Sequence, residues 1–112
     1  MYAMAKRFRL SADEIVPVVL GRGSCYASDR ITVDGCPVGY AYREQPDHHS
    51  DSGWRFFAGD ETQEYADEPN NFAIYDLNTI ANYDREIVPL LDEPAPVHLE
   101  RAAIGQPLRK IT

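Results

Sequence analysis

A five-residue run, Trp54-Arg55-Phe56-Phe57-Ala58, constrains the fold more than any other part of the 112-residue chain. The side chains of an extended strand point alternately to opposite faces of a sheet. Trp54 and Phe56 therefore share one face, while Arg55 and Phe57 share the other. Because both faces carry a large side chain, the run predicts a central strand with a helix packed on one side.

Asp34-Gly35 is a typical two-residue hairpin turn and predicts a strand on each side, one from Ser24 and one running to Glu44. The pairing that this turn fixes puts Cys25 opposite Glu44 and far from Cys36. A disulfide would need the two cysteines to be close. We therefore expect two reduced thiols, packed in the core.

Capping residues predict where the helices begin, because Ser and Asp side chains accept hydrogen bonds from the first free backbone amides of a helix. An Asp with Gln three positions later, as at Asp60 and Gln63, also matches a variant of the capping box. A fourth strand is predicted at 72–75. The predicted helices are 12–16 after Ser11, 61–66 after Asp60, 77–83 after Asp76, and a turn containing Ile87 after Asp84.

A chain of this length is expected to form a single domain, residues 1–112, with a core that needs no metal or disulfide. The elements predict an α+β fold, with a small antiparallel sheet of three to five strands and short helices packed on one face. After Pro94-Ala95-Pro96 we expect a basic C-terminal tail that is partly mobile, like the N-terminus.

Charge is distributed unevenly along the chain. Residues 44–100 contain fourteen acids and two bases, a net charge of -12, whereas the two ends together carry +5. Such a field opposes binding to nucleic acid or to an anionic membrane and attracts a basic partner. No apolar run reaches the roughly 18 residues that a membrane span needs, so we expect a cytoplasmic protein.

Asp60, Glu61 and Glu64 form the sharpest chemical cluster, because their spacing brings them close on a helix. Three interpretations remain open: acids that stabilise a helix N-terminus, an interaction surface, or an oxygen-ligand site for Mg²⁺ or Ca²⁺. The adjacent His48 and His49 are weak metal candidates without an identifiable third ligand. No phosphate-binding glycine motif is present, and we predict no cofactor.

The chain resembles a family of bacterial polymorphic-toxin immunity proteins, the one numbered thirty-three, over about residues 24–93. The most specific stretches are SGWRFFAGDE, Tyr65 with the following EPNN, and YDLNTIANYD. The resemblance implies an α+β domain that binds and neutralises a cognate toxin. It implies no catalytic residue.

The leading hypothesis is a non-enzymatic protein that blocks the active cleft of a toxin. Most aromatic residues are expected in the core, and those exposed beside acids would suit an interface. One alternative is a small metal-dependent hydrolase that uses Asp60, Glu61 and Glu64, and another is a housekeeping protein-binding regulatory module. The expected partner-binding residues are Trp54, Asp60, Glu61, Glu64, Tyr65, Asp67 and Glu68.

Overall fold

A computed structural model, which describes residues 6–111, contains a six-stranded sheet with the strand order β4-β1-β3-β2-β5-β6. β3 lies inside the sheet between β1 and β2, as the alternation of large side chains predicts. The strands are β1 Ser24–Ser28, β2 Tyr40–Arg43, β3 Asp51–Phe57, β4 Phe72–Asp76, β5 Val97–Arg101 and β6 Leu108–Lys110.

The sheet is mixed and larger than predicted. β1 pairs with β3 in parallel, and the other four pairings are antiparallel. The general α+β class is confirmed, but the predicted sheet of three to five antiparallel strands is wrong. The parallel pair arises because β2 and β3 form the antiparallel hairpin, and β1 then joins the free side of β3.

The predicted hairpin at Asp34-Gly35 is also wrong. Ser28 ends β1 and caps the short helix α1, Asp29–Thr32, since its side chain accepts a hydrogen bond from the backbone N–H of Arg30. Gly35 has a φ of +78° and follows this helix, where it accepts the left-handed conformation that helix ends favour. A glycine that suits a hairpin turn thus terminates a helix here.

The other predicted caps are mostly confirmed. Asp76 caps α3, Leu77–Tyr83, and Asp84 caps the 3-10 segment Arg85–Leu90. Ser11 forms a capping box with Glu14 at the 3-10 turn Ala12–Glu14, which is shorter than the predicted helix. The remaining helix, α2, spans Gln63–Ala66.

The basic C-terminal segment is part of the sheet and is not the partly mobile tail that we predicted. β5 pairs with β2, and β6 pairs with β5. The buried side chains of Leu99 and Leu108 explain why this segment joins the fold. Of the termini that we expected to be mobile, residues 1–5 and 112 lie outside the described residues.

The hydrophobic core lies on one face of the sheet, which we call the helical face. Cys25 is buried there, whereas Cys36 is only half-buried, and both thiols are free. α1, α3 and the 3-10 segment cover this face. Its buried apolar residues are Cys25, Ala27, Ile31, Val38, Ala41, Trp54, Phe56, Leu77, Ile80, Ala81, Ile87, Leu91, Val97, Leu99 and Leu108.

Candidate functional site

The opposite side of the sheet, which we call the open face, carries a connected group of aromatic rings. Tyr40 and Tyr42 of β2 each lie 5.9 Å from Phe57 of β3, measured between ring centroids. Each tyrosine also lies 6.0 Å from His98 of β5. These separations are those of favourable aromatic pairs. Four of the rings therefore form a continuous platform across three strands.

This platform is ordered by polar contacts as well as by ring packing. The Tyr40 hydroxyl lies 2.7 Å from Nδ1 of His98, within hydrogen-bond distance. Desolvation raises the pKa of Tyr42, so its hydroxyl stays neutral over a wider pH range than usual. Towards the β4 edge of the same face, Tyr26 and Ile74 are exposed and pair across the strands. The open face thus carries aromatic and apolar side chains together with charged ones such as Arg55 and Glu100, and it is not covered by the three segments that cover the core.

A strip of carboxylates borders the platform. We call residues 60–68, which contain six of the seven predicted site residues, the acidic segment. Its Tyr65 ring packs edge-on against Phe72 at 6.1 Å, and Phe72 packs against Phe57 at 5.9 Å. Tyr65 therefore joins the acidic segment to the open face. Desolvation raises the pKa of Tyr65, consistent with a half-buried ring.

Asp60 does not cap the helix, contrary to the sequence prediction. Thr62 is the N-cap of α2, because its hydroxyl accepts a hydrogen bond from the backbone N–H of Tyr65. The Asp60 carboxylate instead accepts two hydrogen bonds from the guanidinium of Arg30, at 2.6 and 3.1 Å. These bonds hold the pKa of Asp60 below its ordinary value. The helix begins two residues later than predicted.

Glu61 has a different local role. Its two carboxylate oxygens accept hydrogen bonds from the backbone N–H groups of Ala58 and Gly59, at 2.8 and 2.9 Å. Gly59 has a φ of +97°, so the chain turns sharply at this position. Glu61 therefore fixes the junction between β3 and α2, and its carboxylate is held in one place.

The other three acids of the segment are exposed. Asp67 accepts a hydrogen bond from the side chain of Gln63, and Glu68 accepts one from the side chain of Asn70. Within residues 6–111 neither these two acids nor Glu64 forms an ion pair. Their negative charges are therefore available to a partner.

Trp54 lies elsewhere. Its ring is 0% exposed, stacks on Phe56 on the helical face, and donates a hydrogen bond from Nε1 to the backbone oxygen of Leu91. A side chain in this position cannot touch a partner without unfolding part of the core. Trp54 is therefore excluded from the candidate surface, although the sequence analysis expected it there.

A cleft of about 510 Å³ lies where the platform meets the acidic segment. Tyr40, Tyr42 and Phe57 line it, together with Glu61 on one side and Glu100 of β5 on the other. Sequence analysis missed Glu100 and the role of the two tyrosines. The alternation Tyr40-Ala41-Tyr42 was a usable signal, but its interpretation required knowing which face of the sheet the helices cover.

The only cation of β3, Arg55, is neutralised where it lies. Its guanidinium contacts Asp51 and Glu44, each at 2.8 Å. Hydrogen bonding to Arg55 is the main cause that lowers the pKa of Asp51, so this carboxylate is ionised at neutral pH. The open face therefore offers an aromatic centre and acids without an unpaired arginine on its central strand.

The candidate metal ligands do not come together. Within residues 6–111, no group of three or more His, Cys, Asp or Glu side chains is arranged to hold a metal ion. Asp60 is paired with Arg30, and Glu61 is bound to backbone amides. His48 and His49 lie in the exposed loop between β2 and β3. The structure thus does not assemble the cluster on which the hydrolase alternative depends.

Comparisons with known proteins point to one family. Among residues 6–111, no helix is long and apolar enough to cross a membrane. No curated protein and no solved structure gives a significant match to the chain. The family model described as "Immunity protein Imm33 domain" matches residues 25–112, which include β2–β6, all of β1 except Ser24, α1–α3, the aromatic platform and the acidic segment. The chain therefore belongs to the Imm33 family of immunity proteins.

Proposed function

We propose that this protein binds a cognate bacterial toxin and neutralises it by covering the toxin's active cleft with the acidic segment and the adjoining open face. Membership of an immunity family supports an immunity-type role in general. The observation that carries the finer proposal is the position of the unpaired acids. Glu64, Asp67 and Glu68 belong to the segment whose Tyr65 packs against Phe72 of the open face, which the core-covering helices leave free.

The charge of the acidic segment suits a basic target. Residues 44–100, which include the acidic segment, have a net charge of -12. This charge would attract a positively charged cleft over long range and speed its association. If the toxin is a nuclease, these carboxylates take the place of the substrate phosphates. The neighbouring rings then supply the desolvated contact area that makes a complex long-lived.

The neutralisation that we propose needs no catalysis. Both Asp60 and Glu61 are committed to contacts within the protein, with Arg30 and with backbone amides. The exposed acids are placed for recognition, since they can pair with a partner without breaking an ion pair of the described chain. Inhibition should therefore be stoichiometric, with one immunity protein required for each bound toxin.

The test is binding to a candidate toxin, a toxin-like protein encoded by a gene next to the gene for this chain. Association is measured by stopped-flow fluorescence at several salt concentrations. The triple variant Glu64→Gln, Asp67→Asn, Glu68→Gln should associate more slowly than the wild type and lose much of the salt dependence. Residual toxin activity should fall linearly with added protein to an equimolar end point.

A control of equal charge removes three exposed acids from other segments, by Asp13→Asn, Glu14→Gln and Asp92→Asn; because Glu14 caps the Ser11 turn and Asp92 pairs with Arg22, circular dichroism checks that this variant folds. Both triple variants change the net charge equally, so a difference between them isolates the acidic segment. Equal slowing by the two variants would contradict the proposed location of the contact. Failure of the wild type to bind or inhibit any toxin encoded beside it would contradict the proposed function itself.

A further inference from the structure

We propose that the cleft of the open face receives a basic side chain, arginine or lysine, of the bound toxin. This inference rests on the proposed function and specifies the chemistry of the partner at one position. The cleft has a volume of about 510 Å³, within the range of pockets that bury a ligand group. The residues that form its walls determine which ligand group it suits.

The walls are aromatic where the cleft meets the sheet. Tyr40, Tyr42 and Phe57 line this part, and the Tyr42 and Phe57 rings are nearly parallel, with an interplanar angle of 15°. The face of an aromatic ring attracts a cation, and its apolar surface accepts the methylene stem of a long side chain. Aromatic rings alone would equally suit an apolar group, so the charges around the cleft determine which kind of side chain it favours.

The charges around the cleft are negative. Glu61 stands on one side, with a carboxylate that two backbone N–H groups hold in place. Glu100 lines the other side and is exposed; Arg109 of β6 is its cross-strand neighbour but does not line the cleft, and Glu100 forms no ion pair within residues 6–111. A cation between these carboxylates would be attracted by both. This attraction would be stronger than at an open surface, because the rings exclude water.

The arginine that also lines the cleft does not reverse this balance. Arg101 is buried, and its guanidinium is bound to Asp84 and Glu86, at 2.8 and 2.9 Å. It also donates hydrogen bonds to the backbone oxygens of Val38 and Gln106. Its donors and charge are therefore satisfied within the protein. The described lining leaves the two glutamates as the charges that a ligand would meet.

The cleft is also continuous with the acidic segment, because Ala66 of α2 forms part of its lining. A basic surface attracted by Glu64, Asp67 and Glu68 would consequently arrive beside the aromatic walls. Buried basic and aromatic side chains at the centre of an interface commonly supply most of the binding energy. An acidic or uncharged segment would instead leave Glu100 beside it without an oppositely charged partner.

The test compares paired variants in binding to the toxin-like protein encoded beside this gene, by isothermal titration calorimetry. Tyr42→Phe keeps the ring, and within residues 6–111 the Tyr42 hydroxyl forms no hydrogen bond that would be lost. Tyr42→Leu keeps an apolar side chain but removes the ring face. We expect Tyr42→Leu to raise Kd about 3- to 30-fold, and Tyr42→Phe to change it less than about twofold.

A second pair tests the charge. Glu100→Lys and Asp13→Lys change the net charge by the same amount, but only Glu100 lines the cleft. A lysine at position 100 would repel the incoming cation, so Kd should rise at least about tenfold, whereas Asp13→Lys should change it less than about threefold. Circular dichroism checks that each variant folds. If Tyr42→Leu does not fold, the comparison of Glu100→Lys with Asp13→Lys still tests the proposal, because position 100 is exposed.

The outcomes separate the two proposals. Loss of affinity in Tyr42→Leu and Glu100→Lys but not in their controls supports a basic side chain in the cleft. A wild-type complex that these two variants leave unchanged overturns the cleft while the immunity function stands. Stronger binding by Glu100→Lys would show an acidic occupant and overturn the inference. Absence of any wild-type complex overturns the proposed function and this inference with it.

Discussion

Replacing Asp51 by Asn should destabilise the protein far more than replacing Glu44 by Gln, although both carboxylates contact the same guanidinium at 2.8 Å. The two ion pairs with Arg55 differ mainly in burial. The Asp51 side chain is 5% exposed, whereas that of Glu44 is 50% exposed. The pair of variants therefore compares a buried carboxylate, which also accepts hydrogen bonds from two backbone amides, with an exposed carboxylate at the same distance from Arg55.

The expected magnitude follows from what each change leaves behind. Removing one partner of a buried ion pair costs about 3–5 kcal/mol, because the other charge stays buried without compensation. Arg55 keeps Glu44 in Asp51→Asn, so we expect about 3 kcal/mol, the lower end of that range. Asp51 also accepts hydrogen bonds from the backbone N–H groups of Asp47 and Gly53, which Asn can satisfy only in part. Glu44→Gln should cost no more than about 1 kcal/mol.

Urea denaturation, followed by the fluorescence of Trp54, measures both free energies of unfolding. For a slope of about 1.5 kcal/mol/M, a loss of about 3 kcal/mol lowers the midpoint by about 2 M. Glu44→Gln should lower it by well under about 1 M. Equal losses for the two variants, or a loss below about 1 kcal/mol for Asp51→Asn, would refute the assignment of a buried, structural ion pair.

Three further changes test other contacts. Hydrogen bonding to Arg55 lowers the folded-state pKa of Asp51, so its contribution is complete above about pH 4 and is lost as the pH falls towards the folded-state pKa. Calorimetric Tm should therefore drop on acidification below pH 4, and it should drop less in Asp51→Asn. Gly39→Ala would put Cβ 1.9 Å from a backbone carbonyl oxygen, so thermal denaturation should show a loss of at least about 1–3 kcal/mol, and an unchanged Tm would contradict this contact. Thr62→Ala should lower the free energy of unfolding by about 1 kcal/mol and speed amide hydrogen exchange in α2, because Thr62 is the N-cap. Amide hydrogen exchange in α2 of Asp60→Asn should match that of the wild type.

The local elements of this fold were predictable because their signals lie within a few residues. Large side chains on both faces identified β3, and the Asp76 and Asp84 side chains identified two helix starts. Gly35 was ambiguous for a physical reason. A left-handed glycine suits both a tight hairpin turn and the end of a helix. The Ser28 cap on α1 decided between them.

Strand order was not predictable, because it depends on pairings between distant residues. The parallel contact of β1 with β3 joins Tyr26 to Arg55, and β5 joins a strand more than fifty residues earlier in the chain. No local pattern contains that information. For the same reason the segment after Pro96 was predicted as a tail, although Leu99 and Leu108 of this segment are buried in the core.

The negative charge of the candidate site was predictable from the sequence, but the arrangement of its side chains was not. Composition located the acidic segment, which includes Tyr65. The strand pattern could not show that Trp54 faces the helices while Tyr42 faces the open side. Alternation says which residues share a face, but the packing of distant helices decides which face is buried.

The measurement that tests the central claim most directly is hydroxyl-radical footprinting of the protein alone and bound to the toxin encoded beside it, read by mass spectrometry. Oxidation of Tyr42 and Tyr65 on the open side should fall on binding, while oxidation of Phe8, which is 48% exposed and packs against Tyr75, should not change. Protection of Phe8 with unchanged oxidation of Tyr42 and Tyr65 would contradict the account.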